Sequence, residues 1–215
     1  QRNIPSSVTS IGDNAFYKCS SLKKIIIPSN VIEIGKGLFE GCNSLSYVEI
    51  QSKIDEIKEN TFKRCQSLSK IIMPDSVVKI GKHAFEGCIS LEEVDDEFLG
   101  KIEYIGEHAF EGCESLKRII ISSKITSVNE GVFIGCSKLN EITIPKSVTT
   151  IESNSFHLCK SLNKIIFENP SSLISIKDRS FKKCKSLTEI TIPHSVTVIG
   201  SKVFKNCISL EKVRI

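Results

Sequence analysis

Nine cysteines, two histidines in matching contexts and one acidic knot are the reactive side chains of this 215-residue chain. Every cysteine follows a phenylalanine at the same interval: Phe16/Cys19, Phe39/Cys42, Phe62/Cys65, Phe85/Cys88, Phe110/Cys113, Phe133/Cys136, Phe156/Cys159, Phe181/Cys184 and Phe204/Cys207 recur every 23 residues, with two intervals of 25. Thiols can pair or bind zinc, yet no Cys-x-x-Cys or Cys-x-x-His spacing is present and nine is an odd number. Stacked at one repeat position about 4.8 Å apart, their Cβ vectors run parallel instead of converging to the ~3.8 Å of a disulfide. A column of reduced, apolar thiols is expected, with a disulfide-bonded chain as the alternative. His83 and His108 occupy equivalent positions about 5 Å apart and suit at most an adventitious metal pair, so no metal ligand is assigned. His157 and His194 read as ordinary surface residues. Glu92, Glu93, Asp95, Asp96 and Glu97 lack the ligand-and-glycine spacing of a calcium loop and read as a solvated acidic edge. With no Gly-rich phosphate loop, no His-Glu-x-x-His and no nucleophile–base pair, neither a catalytic residue nor a cofactor is assigned.

What positions these groups is the repeat itself. Repetition at 23 residues means a solenoid, in which each unit buries its apolar side only by stacking on its neighbours. The unit reads Leu22-x-x-Ile25-x-Ile27-Pro28-x-x-Val31-x-x-Ile34-Gly35-x-x-x-x-Phe39-x-x-Cys42, and the next coil begins at Leu45. Leu-x-x-Ile-x-Ile has the alternation of a short strand with one buried face, ended by proline or a polar residue. Nine such strands are expected to stack into a parallel sheet. Val-x-x-Ile-Gly returns along the opposite side as a short extended segment, and a turn of 3₁₀ or α helix then carries the phenylalanine inward. Nine coils at the strand spacing make a rod of roughly 40 Å and one domain over 1–215. A net charge of +4, with Lys and Arg interleaved among Asp and Glu and no tryptophan, argues against a nucleic-acid partner. No apolar run is long enough for direct membrane insertion.

The stretches Ile80-Gly81-Lys82-His83-Ala84-Phe85-Glu86-Gly87-Cys88 and Ile105-Gly106-Glu107-His108-Ala109-Phe110-Glu111-Gly112-Cys113 carry an Ile-Gly-x-x-Ala-Phe-x-x-Cys signature. In this the chain resembles the leucine-rich repeats of the BspA-like type over nearly all of its length. The resemblance implies a right-handed leucine-rich repeat solenoid, α/β in type but mostly β. It also implies a non-catalytic protein, commonly on the surface of bacteria or parasitic protists, that adheres to host cells or matrix.

Partner-binding residues should lie where the repeat does not dictate residue type. One outward strand column runs Lys24, Tyr47, Lys70, Glu93, Arg118, Glu141, Lys164, Glu189, Lys212, alternating largely between basic and acidic. It is expected to fix stacking register, each exposed pair contributing at most about 1 kcal/mol, or to meet a partner. The neighbouring column places Ile26, Ile72, Ile120 and Ile166 on every second coil, either as β-formers or as apolar anchors rimmed by charge. Coils four and seven carry two extra residues after the strand, in Asp95-Asp96-Glu97-Phe98 and Phe167-Glu168-Asn169. Both insertions fall on one rim and are candidate contacts. Asp96 stands where other coils place Ile or Met, so a bulge is expected, with Phe98 or Leu99 filling the slot and Asp96 turned outward.

Residues 1–4 read as the tail of an earlier strand and Val213-Arg214-Ile215 as an open strand, so a fragment of a longer repeat protein, or end-to-end self-association, is expected. Two functions fit. One is a non-enzymatic, adhesin-like module binding a host or matrix protein; the other is an intracellular scaffold or filament component, which the reduced thiols and the lack of Asn-x-Ser/Thr acceptors favour. Cell-surface or secreted placement follows from the resemblance, and a cytoplasmic one from the thiols.

Overall fold

The computed structural model describes residues 4–215. Its architecture is a stack of coils, here numbered from the leucines that open them: Leu22, Leu45, Leu68, Leu91, Leu116, Leu139, Leu162, Leu187 and Leu210. Each coil has three sides. The first is a strand face, with strands Lys24–Ile27, Tyr47–Ile50 and Lys70–Ile72 in one parallel sheet, Glu141–Ile144 and Lys164–Phe167 in a second, and Glu189–Thr191 and Lys212–Arg214 in a third. The second side is a ladder of two-residue strands at the Val-x-x-Ile position, such as Glu56–Ile57, Lys79–Ile80 and Tyr104–Ile105. The third is the Phe-x-x-Cys turn.

Alternation produces the strand face: Ile25 and Ile27 point in while Lys24 and Ile26 point out, and coil two repeats this in register. The single expected sheet is, however, broken into three. Coils four and five form no strand on this face, and strands Lys164–Phe167 and Glu189–Thr191 are not bonded to each other. Both breaks follow the two-residue insertions, because extra backbone carries one strand out of hydrogen-bonding distance of the next. Of the expected leading strand at residues 1–4, positions 1–3 lie outside the described residues and Ile4 has no strand pairing.

The Phe-x-x-Cys side is not the 3₁₀ or α turn that the sequence suggested. In every repeat, the residue two before the phenylalanine and the residue just before the cysteine adopt positive φ; in coil four these are His108 (φ 56) and Gly112 (φ 70). Left-handed residues cannot propagate a helix. Instead they turn alternate amides along the stack: His83 N–H donates to Glu107 O (3.0 Å), Phe85 N–H to Ala109 O (2.8 Å) and Gly87 N–H to Glu111 O (2.7 Å), and the same three bonds recur coil after coil. The turns thereby satisfy backbone groups that lie over a dry core. A Cβ on Gly112 would meet only the Gly87 backbone at an ordinary 3.7 Å, so substitution there isolates the cost of φ. Gly112→Val should lose about 1–2 kcal/mol in urea unfolding, while Gly112→Asn stays nearly neutral.

Inside, one continuous apolar cluster extends from Ile11 to Cys207. The nine phenylalanines form a single column with centroids 5.2–5.8 Å apart and interplanar angles of 3–23°, the offset stacking that aromatic quadrupoles favour. All nine cysteines are unpaired thiols. Their position has a hydrogen-bonding reason: Cys113 Sγ lies 3.2 Å from the carbonyl oxygen of Phe85, one coil earlier, and Cys136 repeats the contact with Phe110. The same Phe85 oxygen accepts the Cys88 amide within its own turn. A thiol is therefore a small apolar filler with one weak donor aimed at the carbonyl beneath it.

Candidate interaction surface

The outward columns of the strand face come together only within each sheet. Lys24, Tyr47 and Lys70 are register neighbours, as are Ile26, Glu49 and Ile72. The Lys24 ammonium sits 4.2 Å from the Tyr47 ring centroid, a cation–π contact, and the Tyr47 hydroxyl donates to Glu49 at 2.9 Å. Hydrogen bonds from Gln51 and Tyr47 hold the Glu49 carboxyl below its ordinary value. Farther along, Glu141 and Lys164 pair at 3.1 Å. The alternating-charge ladder is otherwise incomplete: Arg118 turns to Asp96, and Glu189 meets Arg214 of the adjoining column at 3.2 Å. Glu93 enters no ion pair among the described residues, since its strand is missing and its neighbours have moved away. In the aliphatic column Ile72 (42 %) and Ile120 (36 %) are exposed, whereas Ile26 and Ile166 are half-buried.

The insertion in coil four is a short helix, Asp96–Lys101, rather than a bulge. Asp95 caps it by accepting from the Phe98 amide at 2.9 Å, Asp96 and Glu97 occupy the first turn, and Lys101 in the last turn bonds Glu97 (3.1 Å) and Asp75 (2.8 Å). Cap, acidic start and basic end are what a one-turn helix needs, and Gly100 did not mask them. Phe98 and Leu99 are buried in the vacated strand slot while Asp96 faces out to Arg118. Because Asp95 caps the helix and Glu92, Asp96 and Glu97 each face a cation, the acidic knot is spread over four separate contacts.

Each break in the strand face opens a cleft. One, of about 630 Å³, lies between strand Lys70–Ile72 and the helix and is bordered by Ile72, Met73, Asp96 and Arg118. The other, of about 810 Å³, lies between Lys164–Phe167 and Glu189–Thr191; Phe167, Ile190 and Ile192 floor it, and Glu168, Asn169 and Pro170 of the second insertion form its rim. The two insertions thus frame concave openings rather than project as bumps.

One surface feature escaped the sequence reading, which placed the charges as interleaved. On the turn side of coils seven and eight, Arg179 stacks on Lys202 and Lys182 on Lys205, with Lys183 beside them. None of the thirteen ion pairs among the described residues involves these five. Desolvation, and then the charges of Arg179, Lys183, Lys205 and Lys202, lower the Lys182 ammonium below the usual lysine value. The signal was present in Arg179-Ser-Phe-Lys182-Lys183, repeated 23 residues later as Lys202-Val-Phe-Lys205. It became visible only when the period was used to lay one turn upon the next.

Among known families, the model of the BspA type leucine-rich repeat region matches residues 1–114 and 94–211 in six copies. Among solved structures, a leucine-rich repeat protein from Bacteroides ovatus is 31 % identical with a TM-score of 0.86, over 98 % of this chain and 62 % of that one. A leucine-rich repeat protein from Eubacterium ventriosum is 24 % identical with a TM-score of 0.65, over 95 % of this chain and 64 % of that one. A leucine-rich repeat protein from T. pallidum shares the fold at 23 % identity and a TM-score of 0.55, over 97 % of this chain and 76 % of that one. The chain thus spans less than two thirds of the first two. No curated protein matches it in sequence. No helix among the described residues is long and apolar enough to cross a membrane.

Proposed function

The chain belongs to the BspA-type leucine-rich repeat family, and from that premise we propose that it is a non-enzymatic protein-binding module, displayed at a cell surface as an adhesin-like repeat. The observation that carries this reading is the pair of clefts opened in the strand face where the insertions interrupt the ladder, each lined by apolar side chains and rimmed by charge. A buried apolar anchor inside a polar rim is the usual anatomy of an interaction patch. Ile72 and Ile120 supply exposed anchors near one cleft, and the unpaired cations of coils seven and eight add long-range attraction for an acidic partner surface.

Binding of the purified chain to immobilised extracellular-matrix proteins, read by surface plasmon resonance, tests it. The double substitution Ile72→Ala, Ile120→Ala should weaken association at least tenfold, about 1.4 kcal/mol, and raised salt should slow the on-rate. Matrix binding that is undiminished in the double variant would remove the strand face as the contact surface. A second reading, an intracellular scaffold, is favoured by the unpaired thiol column. Absence of surface labelling on intact cells would decide for it.

A further inference from the structure

The turn side of coils three and four holds a group of side chains that the interaction surface does not use. The sequence His-Ala-Phe-Glu occurs in both coils, and stacking converts it into a two-by-two grid of His83 and Glu86 beside His108 and Glu111. The imidazoles lie parallel with centroids 5.1 Å apart. Glu86 Oε2 is 2.6 Å from His83 Nδ1, and Glu111 Oε2 is 2.7 Å from His108 Nδ1. The donor atoms of His83, Glu86 and Glu111 all lie within 4.8 Å of one another. His83 Nδ1 is buried and, despite its nearness to Glu86, meets that carboxylate too obliquely for a hydrogen bond, so it is an orphaned ring nitrogen. Burial first, and the charge of Lys63 second, lower the His83 pKa and keep its ring neutral, the form that ligates.

We propose that His83, Glu86 and Glu111 bind one divalent transition-metal ion of the zinc or cobalt class, with His108 orienting Glu111 through its hydrogen bond. The physical case rests on spacing. A tetrahedral ion with bonds of about 2.0–2.2 Å requires donors about 3.4 Å apart, and side chains held within 4.8 Å on a rigid stack need only small rotations to reach that. Imidazole with carboxylate selects zinc, cobalt or nickel over the oxygen-seeking calcium and magnesium. The hydrogen bond from His108 is the outer-shell support that ligating carboxylates commonly have. The neighbouring coils close the grid. Gly131 stands beside His108, where any Cβ would collide with the imidazole. On the other side Lys63 contacts Glu86 at 2.8 Å, standing in for a cation until one arrives.

The test is titration of Co²⁺ into the reduced chain in a Cys19→Ser background, followed by calorimetry and by the visible spectrum. Asn is the native residue at the His83 position in neighbouring repeats, at Asn60 and Asn154, so His83→Asn keeps the left-handed turn. Expected are one saturable site per chain, a spectrum of nitrogen and oxygen ligation, at least 100-fold weaker binding in His83→Asn and in Glu111→Gln, and tighter binding in Lys63→Met. No saturable binding, a thiolate charge-transfer band, or affinity unchanged by His83→Asn would each overturn the assignment.

Discussion

Phe110→Ala is expected to lower the unfolding free energy by about 3–5 kcal/mol, the cost of removing a fully buried aromatic ring that cannot be refilled. Phe110 is completely buried, with Phe85 on one side at 5.2 Å and Phe133 on the other at 5.8 Å. Its loss empties one cell of a column and removes two stacking contacts at once. Phe16→Ala supplies the internal comparison, since Phe16 is half-buried and stacks only on Phe39. It should cost less than half as much. Because coils couple to nearest neighbours, the central substitution should also split the urea transition, whereas the terminal one shifts a single midpoint. Equal costs at the two positions, or a Phe110→Ala loss below about 1 kcal/mol, would mean that the aromatic column does not hold the stack together.

The column was legible in the sequence because its cause is periodic: Phe, Cys and the strand aliphatics recur at one spacing, and stacking is the only arrangement that buries them all. The family and the parallel architecture followed from the same period. What local pattern could not show was anything that depends on how one coil answers another. The turn backbone was read as helical from its composition, yet its geometry is set by two left-handed residues per repeat, filled here by Gly or Asn and there by His83, Arg179 or Lys183. Only the bonds to the next coil reveal why those mixed residue types share one conformation. The strand face was read as a continuous charge ladder from residue types alone. Two extra residues in coil four were enough to send Arg118 to Asp96 and leave Glu93 without an ion-pair partner, because cross-strand pairing needs strands that are adjacent in space. The inserted helix was itself readable, since Asp95, Asp96, Glu97 and Lys101 are an N-cap, an acidic first turn and a basic last turn. The expectation of a bulge overlooked them by treating the extra residues as a defect in a strand. The basic ridge was hidden for the opposite reason: Asp and Glu nearby in sequence point to other sides of the coil.

The buried thiols should make the fold alkali-labile, and the sign follows from proton linkage. Burial raises the Cys42 thiol to about 11 and lifts Cys65, Cys88, Cys113, Cys136 and Cys159 as well. Cys184 is raised chiefly by its hydrogen bond with Cys207, which is correspondingly lowered and opposes the trend. An unfolded chain releases these protons near pH 8.5–9 while the native chain keeps them, so the thiols contribute their full stability below that range and lose it as pH climbs through the folded values. Each retained proton adds a slope of up to about 1.4 kcal/mol per pH unit, and six raised thiols act together. Urea midpoints should therefore be insensitive to the thiols between pH 6 and 8 and fall steeply above about 9. Replacing Cys88, Cys113 and Cys136 with Ala should flatten that fall while lowering stability at pH 7. The same burial predicts that a thiol reagent at pH 8 titrates one group in the native chain, Cys19, which alone is exposed, and all nine after unfolding. Several fast native thiols would contradict the dry column. Fewer than nine in the unfolded chain would restore the disulfide framework that the parallel Cβ vectors argue against.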